Sequence, residues 1–269
     1  LPDSAAGIVS SAEWLAVPSH PQAISPRSAW SQLVSSIATN PKSAPVQQPT
    51  YTIQRARIQP ELKGLWDGPA WGSVPALTIG DFLERSGPHR PLTQAKVLYS
   101  EQGLHTIFRV EDRYVLSIHT RYQDQVCRDS CVEFFVEPVP NRGYFNFEVN
   151  AGGTLLLYHC QDPTRPAQGA LPHVKVDEAD GRLVRIYHSM PSVVQPEVAQ
   201  PTTWLIEWFA PFSIFEKYLG CPVPRSGSTW RGNLYKCGSR MEHWASWANI
   251  GPIFNFHQPD FFAPMPLEK

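Results

Sequence analysis

Glu133 and Glu148 are the side chains of this 269-residue chain whose types and spacing most invite chemistry. Each lies within a segment of strict alternation. Residues 131–137 place Val132, Phe134 and Val136 on one side, and residues 144–150 do the same with Phe145, Phe147 and Val149. Period-two alternation bounded by turn residues is the signal of half-buried strands. Between them, Pro-Val-Pro-Asn-Arg-Gly at 138–143 suits a short hairpin loop. Folding the segments back about that loop sets Val132 against Val149, Phe134 against Phe147 and Val136 against Phe145. A slip of one residue would split the apolar set between two faces. In this register Glu133 stands beside Glu148. Like charges directly opposite destabilise a sheet, so the pair calls for a basic residue, a cation, a shared proton or the hydroxyls of a ligand. At the carboxyl separation of about 5–5.5 Å used by retaining glycosidases, such a pair would also suit glycoside hydrolysis. The plainer alternative is two solvated glutamates on an outer face.

The rest of the chain supplies more strands of the same kind. Residues 51–58 alternate as an edge strand. Residues 95–100 and 104–110 flank the turn Glu101-Gln102-Gly103, and 114–120 follows with Tyr114, Leu116 and Ile118 on one side. Further strands are expected at 155–159, 183–188, 204–209 and 230–237. Ala210-Pro211-Phe212 closes the third of these, and Ser213 is placed to cap a short helix over 214–219. Trp66 and Trp71 stand either side of a turn in Leu65-Trp66-Asp67-Gly68-Pro69-Ala70-Trp71. Residues 1–50 differ: they are rich in Pro, Ser and Ala, and one short helix bearing Trp30, Leu33, Val34 and Ile37 is expected within them.

Composition supports a β-rich domain. Aromatic content is 12%, and 27 Pro with 17 Gly favour short elements joined by turns over long helices. A formal net charge of −1 gives no electrostatic footprint for nucleic acid. No apolar run reaches the length of a membrane span. The five cysteines are an odd number, so at least one is a thiol or pairs outside the chain, and most are expected to act as small buried apolar residues. No P-loop, HExxH or GxGxxG occurs.

The segments DSCVEFF and YFNFEVNAGG resemble the family 9 carbohydrate-binding modules and their relatives. So, in order, do AKVLYSEQGLHTIFRVED, RGNLYKCG, HWASWAN and FNFHQPDFFAPM, and with the earlier segment around Trp66 and Trp71 the resemblance runs from about 51 to 265. The resemblance implies an all-β fold: a two-sheet antiparallel β-sandwich, jelly-roll-like, over 51–269, preceded by an irregular appendage or linker at 1–50. It implies a non-catalytic protein that binds oligo- or polysaccharide through aromatic faces and polar groups. Glu133 falls where the family has a sugar-contacting carboxylate and Asn150 where it has an amide. Phe256 falls where it has a stacking tryptophan, and Glu148, Trp247 and His257 complete the expected ligand site. The sequence departs from the family at 124–128, where no stacking aromatic stands. The resemblance also admits structural calcium, with Asp112, Asp124 and Asp129 as hard oxygen ligands. It implies a secreted, periplasmic or cell-surface protein with an enzyme or cell-surface partner. The alternatives are a structural or interaction sandwich without sugar binding, and a glycoside hydrolase using Glu133 and Glu148.

Overall fold

The computed structural model describes residues 47–161, 173–238 and 242–269. The expected helix near Trp30 and nearly all of the expected appendage lie outside the described residues. In chain order the strands are β1 (Gln54–Arg55), β2 (Leu77–Ile79), β3 (Asp81–Phe82), β4 (Leu92–Tyr99), β5 (Gly103–Asp112), β6 (Val115–Ser117), β7 (Ser130–Glu137) and β8 (Tyr144–Asn150). They continue with β9 (Leu155–Cys160), β10 (His173–Lys175), β11 (Arg185–His188), β12 (Val194–Val198), β13 (Thr202–Pro211), β14 (Thr229–Gly238), β15 (His243–Ser246) and β16 (Ala263–Pro266). One sheet runs β1-β4-β5-β13-β11, with β2 sharing the outer edge of β4. A second runs β10-β9-β8-β7-β14-β15-β3, with β16 sharing an edge of β14, and β12 pairs with β6 in a two-stranded sheet. Pairing is antiparallel except between β1 and β4.

The hairpin β7–β8 has the register that alternation dictates. Val132 pairs with Val149, Glu133 with Glu148, Phe134 with Phe147 and Val136 with Phe145. Its apolar face meets the other sheet and the helix that follows β13: Phe147 stacks on Trp208 of β13 at 6.3 Å, and Phe145 meets Phe215 of the helix edge-on at 4.9 Å. Burying such rings is the main stabilising contribution of the sandwich. In the loop, Gly143 has φ +80°, and a Cβ there would stand 2.1 Å from the Cys160 carbonyl oxygen. That position therefore requires glycine.

Three elements differ from expectation. The strand expected at 51–58 shrinks to Gln54–Arg55, because Ile53 bridges to Leu267 instead and β4 offers only part of its edge. The strand expected at 114–120 stops at Ser117, where the backbone N–H groups of Ile118 and His119 turn to the Asp129 carboxylate at 3.0 Å each. The helix expected from a Ser213 cap begins two residues earlier and spans Phe212–Leu219, so Ser213 lies inside its first turn behind Pro211. Gly220 ends it in the left-handed conformation, φ 68°, donating its N–H to the Glu216 carbonyl.

One polar group crosses the core. Lys236 of β14 is fully buried between the sheets, 3.4 Å from Asp112 of β5, and its ammonium donates to the Cys237 carbonyl. His89 and the Trp204 indole also bond Asp112. Burial alone would raise the Asp112 carboxyl, but Lys236 and the neighbouring histidines outweigh it and hold it below the usual carboxylate range. Among the described residues no helix is long and apolar enough to cross a membrane.

Candidate carbohydrate site

The second face of the β7–β8 hairpin is not a solvated surface. Every residue of both strands is buried, and Glu133 and Glu148 retain only 3% and 6% of their exposure. The cover comes from the chain after β15. A second apolar cluster joins Phe135, Tyr144, Tyr235, Ile250 and Phe262, with Trp244 and Phe256 against it. Phe256 stacks on Tyr235 at 4.3 Å and 16°, and the Tyr235 hydroxyl donates to the Phe256 carbonyl. Alternation alone describes a sheet with one wet face. Here a long irregular segment converts that face into a second small core.

Between the cover and the sheet lies a cavity of about 250 Å³. Glu133, Glu148, Phe256 and His257, four of the six residues named from sequence, line it. Glu133 accepts a hydrogen bond from the Cys237 thiol at 3.1 Å. One Glu148 oxygen accepts from the Asn146 amide at 2.9 Å, while Oε2, although buried, has no hydrogen-bond partner among the described residues. Burial first, and then the Glu133 charge opposite, pushes the Glu148 carboxyl well above its ordinary value. Burial raises Glu133 as well, against the lowering pull of the Cys237 hydrogen bond and Lys236. A proton shared between two carboxyls raised in this way relieves their repulsion.

Asn150 and Trp247 do not line the cavity. Asn150 is fully buried at the end of β8, where its amide donates to Asp129 and the His119 carbonyl and its oxygen accepts from the Thr154 N–H. It ties a turn and is not positioned to meet a ligand there. Trp247 packs on the inter-sheet core and meets Tyr51 edge-on at 6.3 Å. The tryptophan at the cavity is Trp244. Trp244 pairs across the sheet with Cys237, whereas His243 and Ala245 beside it are buried. Counting parity along β15 from buried Ala245 would have separated Trp244 from Trp247. Sequence reasoning also passed over Phe254, which crosses Trp244 at 90° and 4.7 Å and is 44% exposed, and Cys237, whose pairing with β7 spans about a hundred residues of chain. Trp66 and Trp71 sit away from the cavity. Trp71 is buried with its indole N–H on Glu207, and the Lys96 ammonium lies over the Trp66 ring.

The model of carbohydrate-binding family 9 matches residues 73–267. The chain belongs to carbohydrate-binding family 9. No curated protein matches the sequence. Among solved structures, this family 9 chain is similar to a candidate carbohydrate-binding protein from Bacteroides uniformis ATCC 8492, at 22% identity and TM-score 0.70, covering 82% of this chain and all of that one. It is also similar to a family 9 module from Caldicellulosiruptor kristjanssonii, solved with cellotriose and with glucose. Those two matches have 12% identity, TM-scores of 0.55 and 0.52, and cover 82% and 81% of this chain and 94% and 95% of theirs. At these identities the likeness establishes the β-sandwich.

The carboxylates offered to calcium have other partners. Asp112 is held by His89, Trp204 and Lys236, Asp124 by Arg121, and Asp129 by His119, Asn150 and two backbone N–H groups. Among the described residues these three do not gather into one ligand group.

Proposed function

We propose that this family 9 protein binds one sugar unit of an oligo- or polysaccharide in the cavity over Glu133 and Glu148, without turning it over. The observation that supports this most is the buried Glu148 Oε2, without a partner among the described residues, on a side chain that lines a cavity walled by aromatic side chains. A sugar hydroxyl supplies a donor for that oxygen, and a protonated carboxyl of the pair donates back to a ring or hydroxyl oxygen. Trp244 and Phe254 offer apolar surface at the mouth for the CH face of a pyranose. The volume falls just below the usual range of ligand pockets, roughly 300–1,000 Å³, which favours a single ring or chain end over a long segment. A polysaccharide ligand also motivates placing the protein outside the cytoplasm, in the periplasm or at the cell surface, beside an enzyme or cell-surface partner.

A shared proton does not by itself distinguish binding from catalysis. Burial raises both groups whatever the ligand does. The distinction therefore rests on turnover. A glycan array with the purified chain identifies the ligand, and incubation with that ligand reads hydrolysis. In the binding reading Glu133→Gln weakens affinity by about 0.5–1.5 kcal/mol for a neutral hydrogen bond, and the wild type releases no product. Hydrolysis by the wild type that disappears in Glu133→Gln at unchanged affinity would overturn it in favour of a glycoside hydrolase. An array without any hit would point to a structural sandwich.

A further inference from the structure

Cys237 lines the cavity beside the carboxylate pair, Cys131 is buried next to it in the sheet, and sugar binding makes no use of either thiol. β7 and β14 pair so that Cys131 lies directly opposite Cys237. Both project to the Glu133 side of the sheet. The two sulfurs and a Glu133 oxygen all lie within 4.8 Å of one another, and the three residues are buried. The sulfur of Cys237 is 3.1 Å from Glu133 Oε1. Around a tetrahedral zinc ion, with Zn–S about 2.3 Å and Zn–O about 2.0–2.2 Å, neighbouring ligand atoms stand roughly 3.4–3.8 Å apart. Side-chain shifts of up to about 1 Å suffice to close the three atoms round an ion.

A second observation points to the same place. Glu148 pairs across the strands with Glu133, lines the cavity, and keeps its buried Oε2 without a partner among the described residues. We propose that Cys131, Glu133 and Cys237 form a binding site for a zinc-type divalent cation at the floor of the cavity, with Glu148 as the fourth ligand or as the acceptor for a metal-bound water. Thiolates are soft ligands that select zinc and its neighbours over calcium and magnesium, which take oxygen shells. Binding displaces the thiol protons, since the thiolate is the ligand. It also replaces the repulsion of two facing carboxylates with attraction to a common cation. The site shares Glu133 and Glu148 with the carbohydrate reading, but its test uses a metal ion and no sugar, so the failure of one reading is distinguishable from the failure of the other.

The test uses the full chain, reduced and stripped with a chelator, titrated with cobalt(II) alone. The expected result is one equivalent bound, a thiolate-to-cobalt charge-transfer band in the near ultraviolet, displacement by zinc, and proton release into weak buffer. Cys131→Ser and Cys237→Ser should each lose or strongly weaken the band, and Glu133→Gln should lower affinity at least about tenfold, whereas Cys160→Ser and Cys221→Ser keep both. Absence of a thiolate–cobalt band in the wild type, or a band that survives in Cys131→Ser and Cys237→Ser alike, overturns the proposal. Should the serine variants fail to fold, X-ray absorption of the zinc-loaded wild type decides instead. Two sulfur ligands at about 2.3 Å support the site, and a shell of oxygen and nitrogen alone overturns it.

Discussion

Glu148 shows how a sheet position becomes a binding position. Its neighbours on β8, Phe147 and Val149, face the inter-sheet core, so Glu148 must face the other way. What alternation could not say is that this other way is also buried. That burial has a cost readable in the pH dependence of stability. The folded carboxyl is raised above its unfolded value, so the folded state binds the proton more tightly. The proton's contribution to stability is complete below the unfolded pKa, near 4.3, and is lost as pH rises toward the folded pKa. In chelator-treated protein, Glu148→Gln should therefore gain stability over the wild type as pH rises from about 4 through neutrality, while losing sugar affinity. Urea denaturation at pH 5 and pH 8 measures this. A stability difference that shrinks with rising pH would contradict the assignment. Sites that trade stability for function in this manner are common.

At the scale of elements, the hairpin β7–β8 was legible because two signals agreed: alternation on both strands, and a Pro-Asn-Arg-Gly loop of the right length. Its register followed from the Val132, Phe134 and Val136 face and is the register observed. Phe134→Ala should cost about 3–5 kcal/mol in chemical denaturation, since the fully buried ring leaves a cavity between the sheets. A cost under ~1 kcal/mol would mean that the hairpin is not the centre of the core. The cover over the site was not legible in the same manner. The stretch after β15 has no long regular element to betray it, and turns with internal bonds, such as those from the Asn255 and Gln258 side chains, hold it in place. Periodicity detects strands and helices but carries no signal for an irregular segment whose role is to lie on a sheet. The choice between two neighbouring tryptophans was legible: Trp247 is named for the site from the resemblance, whereas parity on β15 gives the cavity to Trp244.

For the whole molecule, the β-sandwich and the family emerge from the order of many weak motifs, while the pairing of distant strands does not. The approach of β14 to β7 brings Cys237 to Glu133, and nothing local in either strand announces it. Other buried polar groups set how the domain answers to acid. His105 is buried near Ser100 and Gln59, with its Nδ1 unpartnered among the described residues, and burial, aided by the Arg185 charge, lowers its pKa to about 4. The unfolded chain takes up the proton near pH 6.5, so stability falls as pH drops from about 6.5 to about 4. The loss from this group is roughly 3 kcal/mol by pH 4, at about 1.4 kcal/mol per unit. His105→Asn should flatten that part of the stability curve, as followed by denaturant midpoints between pH 7 and pH 4.5. An unchanged slope would show that His105 stays out of the transition.

The central claim is that the sugar binds over Glu133 and Glu148 at the Trp244 end of the sheet. Calorimetric titration of the ligand found on a glycan array, into the wild type, Trp244→Ala and Trp247→Phe, tests it most directly. The account predicts that Trp244→Ala weakens binding at least about tenfold, ~1.4 kcal/mol, while Trp247→Phe binds as the wild type does. Retained affinity in Trp244→Ala together with lost affinity in Trp247→Phe would contradict it and move the site to the opposite side of β15.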